Sequence, residues 1–473
     1  GERISYGAME LETVIGLEIH VQLKTKTKLF CSCRADRFGA PPNSLTCPVC
    51  LGMPGALPVL NGRAVELAIM AALALHFRVQ ERSRFARKNY FYPDLPKGYQ
   101  ISQFDEPLAS GGWVELGERR IGLRRLHLEE DAAKLVHTED GRSLIDFNRA
   151  GVPLIEIVTE PVLGSPRAAR ELLQAVRQIL RYLGASNCDM EKGELRCDAN
   201  ISLCRDGRIG TRTEIKNLNS FRALEEALAF EEGRQRELLL GGGEVEQQTL
   251  DWDGPSGRAV PMRGKEESED YRYFPEPDLA PLIVKLPWVS RLGEALPELP
   301  ADRRRRWREQ YSLPQYDIAV LTEEREIADY FEAVARLYPQ PKEVSNWMMT
   351  ELLRLAKEGP IGVDPADFAE ILRLVGEGKL NRNVGKELLA EACRTGKVLE
   401  EFLKERELLQ IPDAAELSRA VAAVLAENPR AVADYRAGRE QALSFLLGQL
   451  MKETKGKADP KLARRLLLER LRG

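Results

Sequence analysis

The residues best placed to do chemistry lie on the polar faces of otherwise apolar strands. In Thr13 to Leu23, TVIGLEIHVQL, the residues Ile15, Leu17, Ile19, Val21 and Leu23 occupy one face of an expected strand, leaving Glu18, His20 and Gln22 on the other. Side chains two apart on a strand stand side by side, so Glu18 and His20 make half of a divalent-metal site, although the same pattern describes a solvated strand face. Leu195 to Leu203 repeats the pattern. Leu195, Cys197, Ala199, Ile201 and Leu203 form the apolar face, and Arg196, Asp198, Asn200 and Ser202 the polar one. Glu214 and Lys216 share a face of a further short strand, His127-Leu128-Glu129-Glu130-Asp131 supplies three consecutive acids, and Glu156 stands between Ile155 and Ile157. One sheet carrying all of these would concentrate negative charge, which needs a cation or strongly shifted pKa values. Oxygen-rich ligands suit Mg²⁺ arriving with substrate phosphates, the setting of phosphoryl transfer. Neither GxxxxGK[ST] nor GxGxxG occurs, so a nucleotide site here is of a less common type.

A second pattern is built from cysteine. Cys31-Ser-Cys33 followed by Cys47-Pro-Val-Cys50 has the spacing of a tetrahedral thiolate zinc site, structural because four cysteines leave no open position. Four reduced thiols, or an empty site, are the alternative. Cys188, Cys197, Cys204 and Cys393 lack metal spacing and read as small buried residues. The stretch Lys88 to Gln100, KNYFYPDLPKGYQ, is dense in aromatics, basics and proline. It can stack on a base while Lys88 or Lys97 holds phosphate, or it can simply pack a loop onto the core.

The elements that must position these residues fit an α+β fold. The 473 residues are long enough for about three domains, expected at 1–293, 294–405 and 406–473. The first is a mixed-sheet domain carrying the knuckle, the second is all-helical, and the third is a small all-helical tail. Ser165-Pro166 is a helix start, Ser220 opens a helix that Gly241 to Gly243 should end, and Asn61-Gly62 precedes another. Arg272 to Asp278, rich in proline, is expected to be ordered loop, and the charge run Arg303 to Arg306 a solvated helix face. Hydrophobic residues at 43% and charged at 30% describe an ordinary folded protein, with no apolar run able to span a bilayer. The first residues lack the apolar core of a signal peptide, so a cytoplasmic location is expected. Net charge is −4, but Lys452 to Gly473 holds eight basic residues against three acids, leaving +5 on the tail and −9 elsewhere. Such a tail attracts phosphates locally.

Together these segments resemble the B subunit of the tRNA-dependent aspartyl/glutamyl amidotransferases. The likeness is carried by Thr13-Val-Ile-Gly-Leu-Glu-Ile-His, Cys47-Pro-Val-Cys-Leu-Gly-Met-Pro-Gly, Arg87-Lys-Asn-Tyr-Phe-Tyr-Pro-Asp and Leu126-His-Leu-Glu-Glu-Asp. It continues through Asp146-Phe-Asn-Arg, Leu154-Ile-Glu-Ile-Val-Thr-Glu-Pro, Arg196-Cys-Asp-Ala-Asn and Glu214-Ile-Lys-Asn-Leu-Asn-Ser. Asp270-Tyr-Arg-Tyr-Phe-Pro-Glu-Pro-Asp and Gly448-Gln-Leu-Met-Lys-Glu-Thr-Lys-Gly-Lys-Ala-Asp-Pro complete it. The family pattern begins near Met9, so residues 1 to 8 read as an extension.

The resemblance implies a cradle-like catalytic domain, a helical domain and a YqeY-like, tRNA-binding tail. It also implies a reaction in which ATP phosphorylates the side-chain carboxylate of Glu-tRNA(Gln) or Asp-tRNA(Asn), and ammonia then displaces phosphate. The ammonia would be channelled from a separate amidase (A) subunit, within a heterotrimer completed by a small C subunit. On this reading Glu18, His20, one of Glu129 and Glu130, and Glu214 hold Mg²⁺. Lys88, Asp198 and Asn200 line the ammonia path or orient substrate, and Lys97 and Lys216 are candidates for contacting the nucleotide. Cys31, Cys33, Cys47 and Cys50 hold zinc, and Lys452, Lys455, Lys457 and Lys461 meet the tRNA backbone. A zinc-stabilised tRNA-binding subunit without chemistry of its own is the rival, but its clustered acids would repel phosphate unless a metal intervened.

Overall fold

The computed structural model describes residues 11–138, 140–262, 271–357, 359, 361–396, 414–454, 458 and 460–472. The expected extension at residues 1–8 and the boundary expected near 405 lie outside them. The described chain falls into two compact units, Gly1–Asp302 and Arg303–Gly473.

Alternating side chains build the first unit. Its strands, in chain order, are β1 (Leu11–Gln22), β2 (Arg78–Val79), β3 (Arg82–Ser83), β4 (Ala86–Asn89), β5 (Tyr99–Ser102), β6 (Ala109–Leu116), β7 (Arg119–Glu130), β8 (Lys134–His137) and β9 (Ser143–Asp146). They continue with β10 (Pro153–Thr159), β11 (Leu195–Arg205), β12 (Arg208–Ile209), β13 (Thr213–Lys216), β14 (Gln248–Asp253), β15 (Arg258–Pro261), β16 (Phe274–Pro275) and β17 (Leu282–Ile283). Ten of them form one mixed sheet in the order β15-β14-β13-β11-β1-β10-β7-β6-β2, with β12 beside β11. Neighbours are antiparallel except β13 and β14.

Ile15, Leu17, Ile19 and Val21 of β1 are buried to 1% exposure or less. They join a core with α1 (Gly62–Ala74), α2 (Pro166–Tyr182) and α3 (Phe221–Leu240), which pack on that face. Burying four such side chains is worth roughly 6–12 kcal/mol as an upper estimate. A one-residue slip of β1 would turn them all outward, so the register, and with it the polar face, is pinned. The helix starts follow the cap residues: Asn61 accepts from Arg63 and Ala64 N–H, Ser165 from Ala168 and Ser220 from Ala223.

Two expectations are corrected. The proline-rich stretch is not all loop: Phe274–Pro275 pairs antiparallel with Arg87 and Ala86, at a sheet edge where a missing N–H leaves no partner wanting. The run Arg303 to Arg306 is not simply solvated either. Arg303 is buried and lies 3.1 Å from Glu332, which also accepts from Arg306 and from the indole N–H of Trp307. Four consecutive arginines show no apolar phase in the sequence, so only the packed helices reveal which one turns inward.

The second unit consists of helices joined by short loops, with no strand among its described residues. One core gathers Trp307, Phe331, Trp347, Phe368 and Leu388; another gathers Leu417, Val421, Leu446, Leu450 and Leu467.

Candidate active site

Five adjacent strands, β13-β11-β1-β10-β7, turn their polar faces the same way, across about 20 Å at the usual strand spacing. Register sets the neighbours. His20 lies opposite Arg196 on one side and Glu156 on the other, and Glu156 lies opposite His127. Glu18 faces Asp198, and Asn200 faces Glu214.

Near the centre of this face, His20 Nε2 is 3.5 Å from Glu156 Oε2 and 3.7 Å from Glu129 Oε1, with one ligand atom from each residue inside a 4.8 Å span. Adjacent ligands of an octahedral Mg²⁺ at about 2.1 Å stand about 3.0 Å apart, so the imidazole nitrogen would close by about 0.5 Å on Glu156 and about 0.7 Å on Glu129. His127 backs them, its Nε2 3.0 Å from Glu156 and 3.4 Å from Glu129. Burial disfavours the imidazolium, but those two carboxylates push the His127 pKa up to about 9. Burial likewise works against the Glu156 carboxylate, and His127 and His20 win, holding its pKa well below the ordinary value. A half-buried imidazole with two buried carboxylates can hold a divalent ion, with His127 as the outer hydrogen-bond partner such sites carry.

A second acidic group lies beside it. Lys216 Nζ bridges Glu214 at 2.9 Å and Asp198 at 3.2 Å, Asn200 donates to Glu18 at 3.2 Å, and Thr249 donates to Glu214. Burial and the neighbouring Glu156, Glu214 and Asp198 raise the Glu18 pKa. Lys88 sits over the Tyr271 ring at 4.7 Å, and Glu129 keeps its ammonium charged against the pull of burial. Tyr271 and Tyr273 meet edge to face, and Phe104 stacks on Tyr273 at 4.1 Å, walling this side.

Of the residues singled out from the sequence, His20 and Glu129 thus stand together. Glu18, Asp198, Asn200, Glu214 and Lys216 form the adjoining group, and Lys88 lies above Tyr271. Glu130 does not share their face. Strand alternation turns it to the other side of the sheet, where it accepts from the Lys97 ammonium and the Ile101 N–H. Lys97 therefore lies beneath the sheet rather than in the basin. Glu129 is the one of the two acids that joins His20, and Glu156 completes the group where Glu18 and Glu214 were expected. Its signal in the sequence is an acid inside the apolar strand PLIEIVT, but only the pairing with β1 shows which side it faces.

The four knuckle cysteines converge, their sulfur atoms within 4.8 Å of one another. A tetrahedral zinc with bonds of about 2.3 Å spaces its sulfurs about 3.8 Å apart, so the set fits. The Lys28 ammonium, fully buried, donates to Cys50 Sγ at 3.6 Å and to the Phe147 carbonyl at 3.3 Å, offsetting thiolate charge. Gly52 follows with φ +66°, and a Cβ there would lie 2.2 Å from Lys97 Cγ. The knuckle therefore seats directly on the Lys97–Glu130 pair.

In the tail, Lys452 is exposed near the end of the helix Gln441–Glu453, and Lys461 is in the first turn of Pro460–Arg472. Lys455 and Lys457 lie outside the described residues. No helix among the described residues is long and apolar enough to cross a membrane.

The first unit, a mixed sheet with an imidazole–carboxylate face and a four-cysteine knuckle, matches the family of GatB/GatE catalytic domains over residues 13–290, and the GatB domain family matches residues 329–471. The chain is 51% identical to the B subunit of the aspartyl/glutamyl-tRNA(Asn/Gln) amidotransferase of Moorella thermoacetica, over 98% of this chain and all of that protein. It is 50% identical to the protein of the same name from Carboxydothermus hydrogenoformans and 48% identical to that of Thermotoga maritima, each over 98% of this chain and nearly all or all of the relative. The chain belongs to the family of aspartyl/glutamyl-tRNA(Asn/Gln) amidotransferase B subunits, whose members are named as components of a multi-subunit amidotransferase.

Proposed function

We propose that this chain is the ligase subunit that activates and amidates the side-chain carboxylate of misacylated Glu-tRNA(Gln), Asp-tRNA(Asn) or both. The observation that carries the reading is the His20–Glu129–Glu156 group on a face also furnished with Lys88 and Lys216, in a chain half identical to relatives of that name. A carboxylate resists ammonia because its leaving group would be oxide. Phosphorylation removes that obstacle. A carboxylate oxygen of the aminoacyl group attacks the γ-phosphorus of ATP, the bond to the β,γ-bridging oxygen breaks, and its electron pair leaves with ADP. Ammonia then attacks the acyl carbon, phosphate departs with the electron pair of the C–O bond, and a proton passes from nitrogen to phosphate.

Mg²⁺ held by His20, Glu129 and Glu156 would neutralise charge on the nucleotide phosphates. Lys88 and Lys216 supply further positive charge beside the acceptor, while Glu18, Asp198 and Asn200 orient it and the incoming ammonia. The knuckle would hold a structural zinc that fixes the loop after β1. The basic tail, including Lys452, Lys455, Lys457 and Lys461, suits the tRNA backbone, where phosphate contacts position rather than specify. An amidase subunit supplying ammonia and a small third subunit are the expected partners, in the cytoplasm.

The test is reconstitution with the amidase subunit and misacylated tRNA. ADP should form only when the tRNA carries Glu or Asp, and the amidated tRNA should follow on addition of glutamine. Tight tRNA binding with no ADP under any of these conditions would favour the non-catalytic reading instead.

A further inference from the structure

The basin's acids account for its metal group, and one further cation shares their face. Arg196 stands opposite His20 in the β1–β11 register. Its Nη2 donates to Asp131 Oδ1 at 2.8 Å. Asp131 is itself held on every side: Gln22 donates to Oδ2 at 2.6 Å, the Ala132 N–H donates to Oδ1 at 2.9 Å, and Arg149 approaches Oδ2 at 3.8 Å. Gln22 is fixed in turn by Arg37 at 2.8 Å. Asp131 is thus a buried, saturated carboxylate whose arrangement orients one guanidinium.

The rest of that guanidinium is not used by the protein in the same way. Nε is buried and meets no acceptor among the described residues, although the side chain as a whole remains 37% exposed. An arginine fork anchored at one nitrogen by a buried acid, with donors left over beside a metal group, has the form of an oxyanion clamp. Lys216 is already engaged by Asp198 and Glu214, and Lys88 lies over Tyr271. Strand alternation also explains the three consecutive acids: Glu129 faces the His20 group, Glu130 secures Lys97 beneath, and Asp131 sets Arg196.

We propose that Arg196, oriented by Asp131, is a catalytic residue that binds the non-bridging oxygens of the phosphoryl group as it passes from ATP to the acceptor carboxylate. This rests on the reaction argued above. In that step the new carboxylate O–P bond forms as the P–O bond to ADP breaks, with no proton exchanged. Arg196 meets the phosphoryl charge with the remaining donor edge of a rigid guanidinium that Asp131 holds in place, which a mobile lysine ammonium at the same place lacks.

The experiment uses the reconstituted complex with misacylated tRNA and compares wild type, Arg196→Lys and Arg196→Ala in single-turnover ADP formation. Mn²⁺ affinity and ATP affinity are measured alongside. Both variants should lose about 100- to 1,000-fold in rate at saturating ATP, with Mn²⁺ and ATP dissociation constants within threefold of wild type. Added guanidinium ion should restore part of the Arg196→Ala rate, with saturation. A purely structural partner of Asp131 would instead weaken Mn²⁺ binding or melting in step with the rate, and would show no rescue. Rates within threefold of an active wild type would overturn the clamp alone. A wild-type complex that forms no ADP with misacylated tRNA would overturn the reaction and the clamp with it.

Discussion

Replacing Glu156 by Gln tests the metal group most directly, because it keeps the side chain's size and removes its charge. Glu156 Oε2 lies 3.5 Å from His20 Nε2 and 3.0 Å from His127 Nε2, so it serves both the ligand imidazole and the one behind it. The gross attraction between a dication and one carboxylate at about 2.1 Å is about 16 kcal/mol at an effective dielectric constant of 20, most of it cancelled by dehydration of the ion. Outer-shell partners of metal ligands alone are worth about 10- to 100-fold in affinity, which sets a floor for a charged ligand. We therefore expect at least about 100-fold weaker Mn²⁺ binding, about 2.7 kcal/mol, read by electron paramagnetic resonance titration of the full chain. Glu130→Gln is the control. It removes an equal charge one residue from Glu129, but on the opposite face of β7, and should leave Mn²⁺ affinity within threefold. Equal losses in the two variants, or none in Glu156→Gln, would refute the assignment.

Replacing Cys33 by Ser should abolish stoichiometric zinc, measured by elemental analysis, and lower the melting temperature by several degrees, given about 3 kcal/mol or more from a structural site; an unchanged melting curve would exclude a structural zinc. Reversing the charge of Lys455 and Lys457 to Glu should weaken tRNA binding and flatten its salt dependence while sparing tRNA-independent ATP binding; tRNA affinity equal to wild type at both 50 and 200 mM salt would reject the tail's role. In the helical unit, burial works against the Asp317 carboxylate, but Lys342 at 2.6 Å and Ser345 at 2.7 Å hold its pKa below the ordinary value. Its contribution is therefore complete above the unfolded pKa of about 3.9 and is lost as pH falls through the lower folded value. The gap between wild type and Asp317→Asn, about 1–3 kcal/mol at pH 7, should narrow from pH 5 toward pH 3 in denaturant titrations, and a constant gap would contradict the pairing.

How much of this can be read from the chain depends on whether a residue's surroundings are local. The faces of β1 and β11 are legible because five alternating apolar residues leave one solution, and the helix starts because Ser165, Ser220 and Asn61 cap their own turns. The division of Glu129 from Glu130 follows from the same alternation once the strand is known to run through residue 130. Read as a cluster of acids, the run hides it. Glu156 and Lys28 are harder. Their meaning lies in partners more than a hundred residues away, His20 for the first and the Phe147 carbonyl for the second, and pairing across such distances has no local signature. Arg303 escapes a sequence reading for the same reason, since its acids, Asp329 and Glu332, are on another helix.

Glu129 and Glu130 make β7 a partition with a different tenant on each side, the imidazole group above and the Lys97 contact, with the cysteine loop seated on it, below. Deleting or inserting one residue upstream in that strand would trade the two, sending the metal-facing acid downward and stranding the lysine. Length variation among natural or designed versions of this chain should consequently collect in the hairpin between β8 and β9, and stay out of the stretch from Leu126 to Asp131.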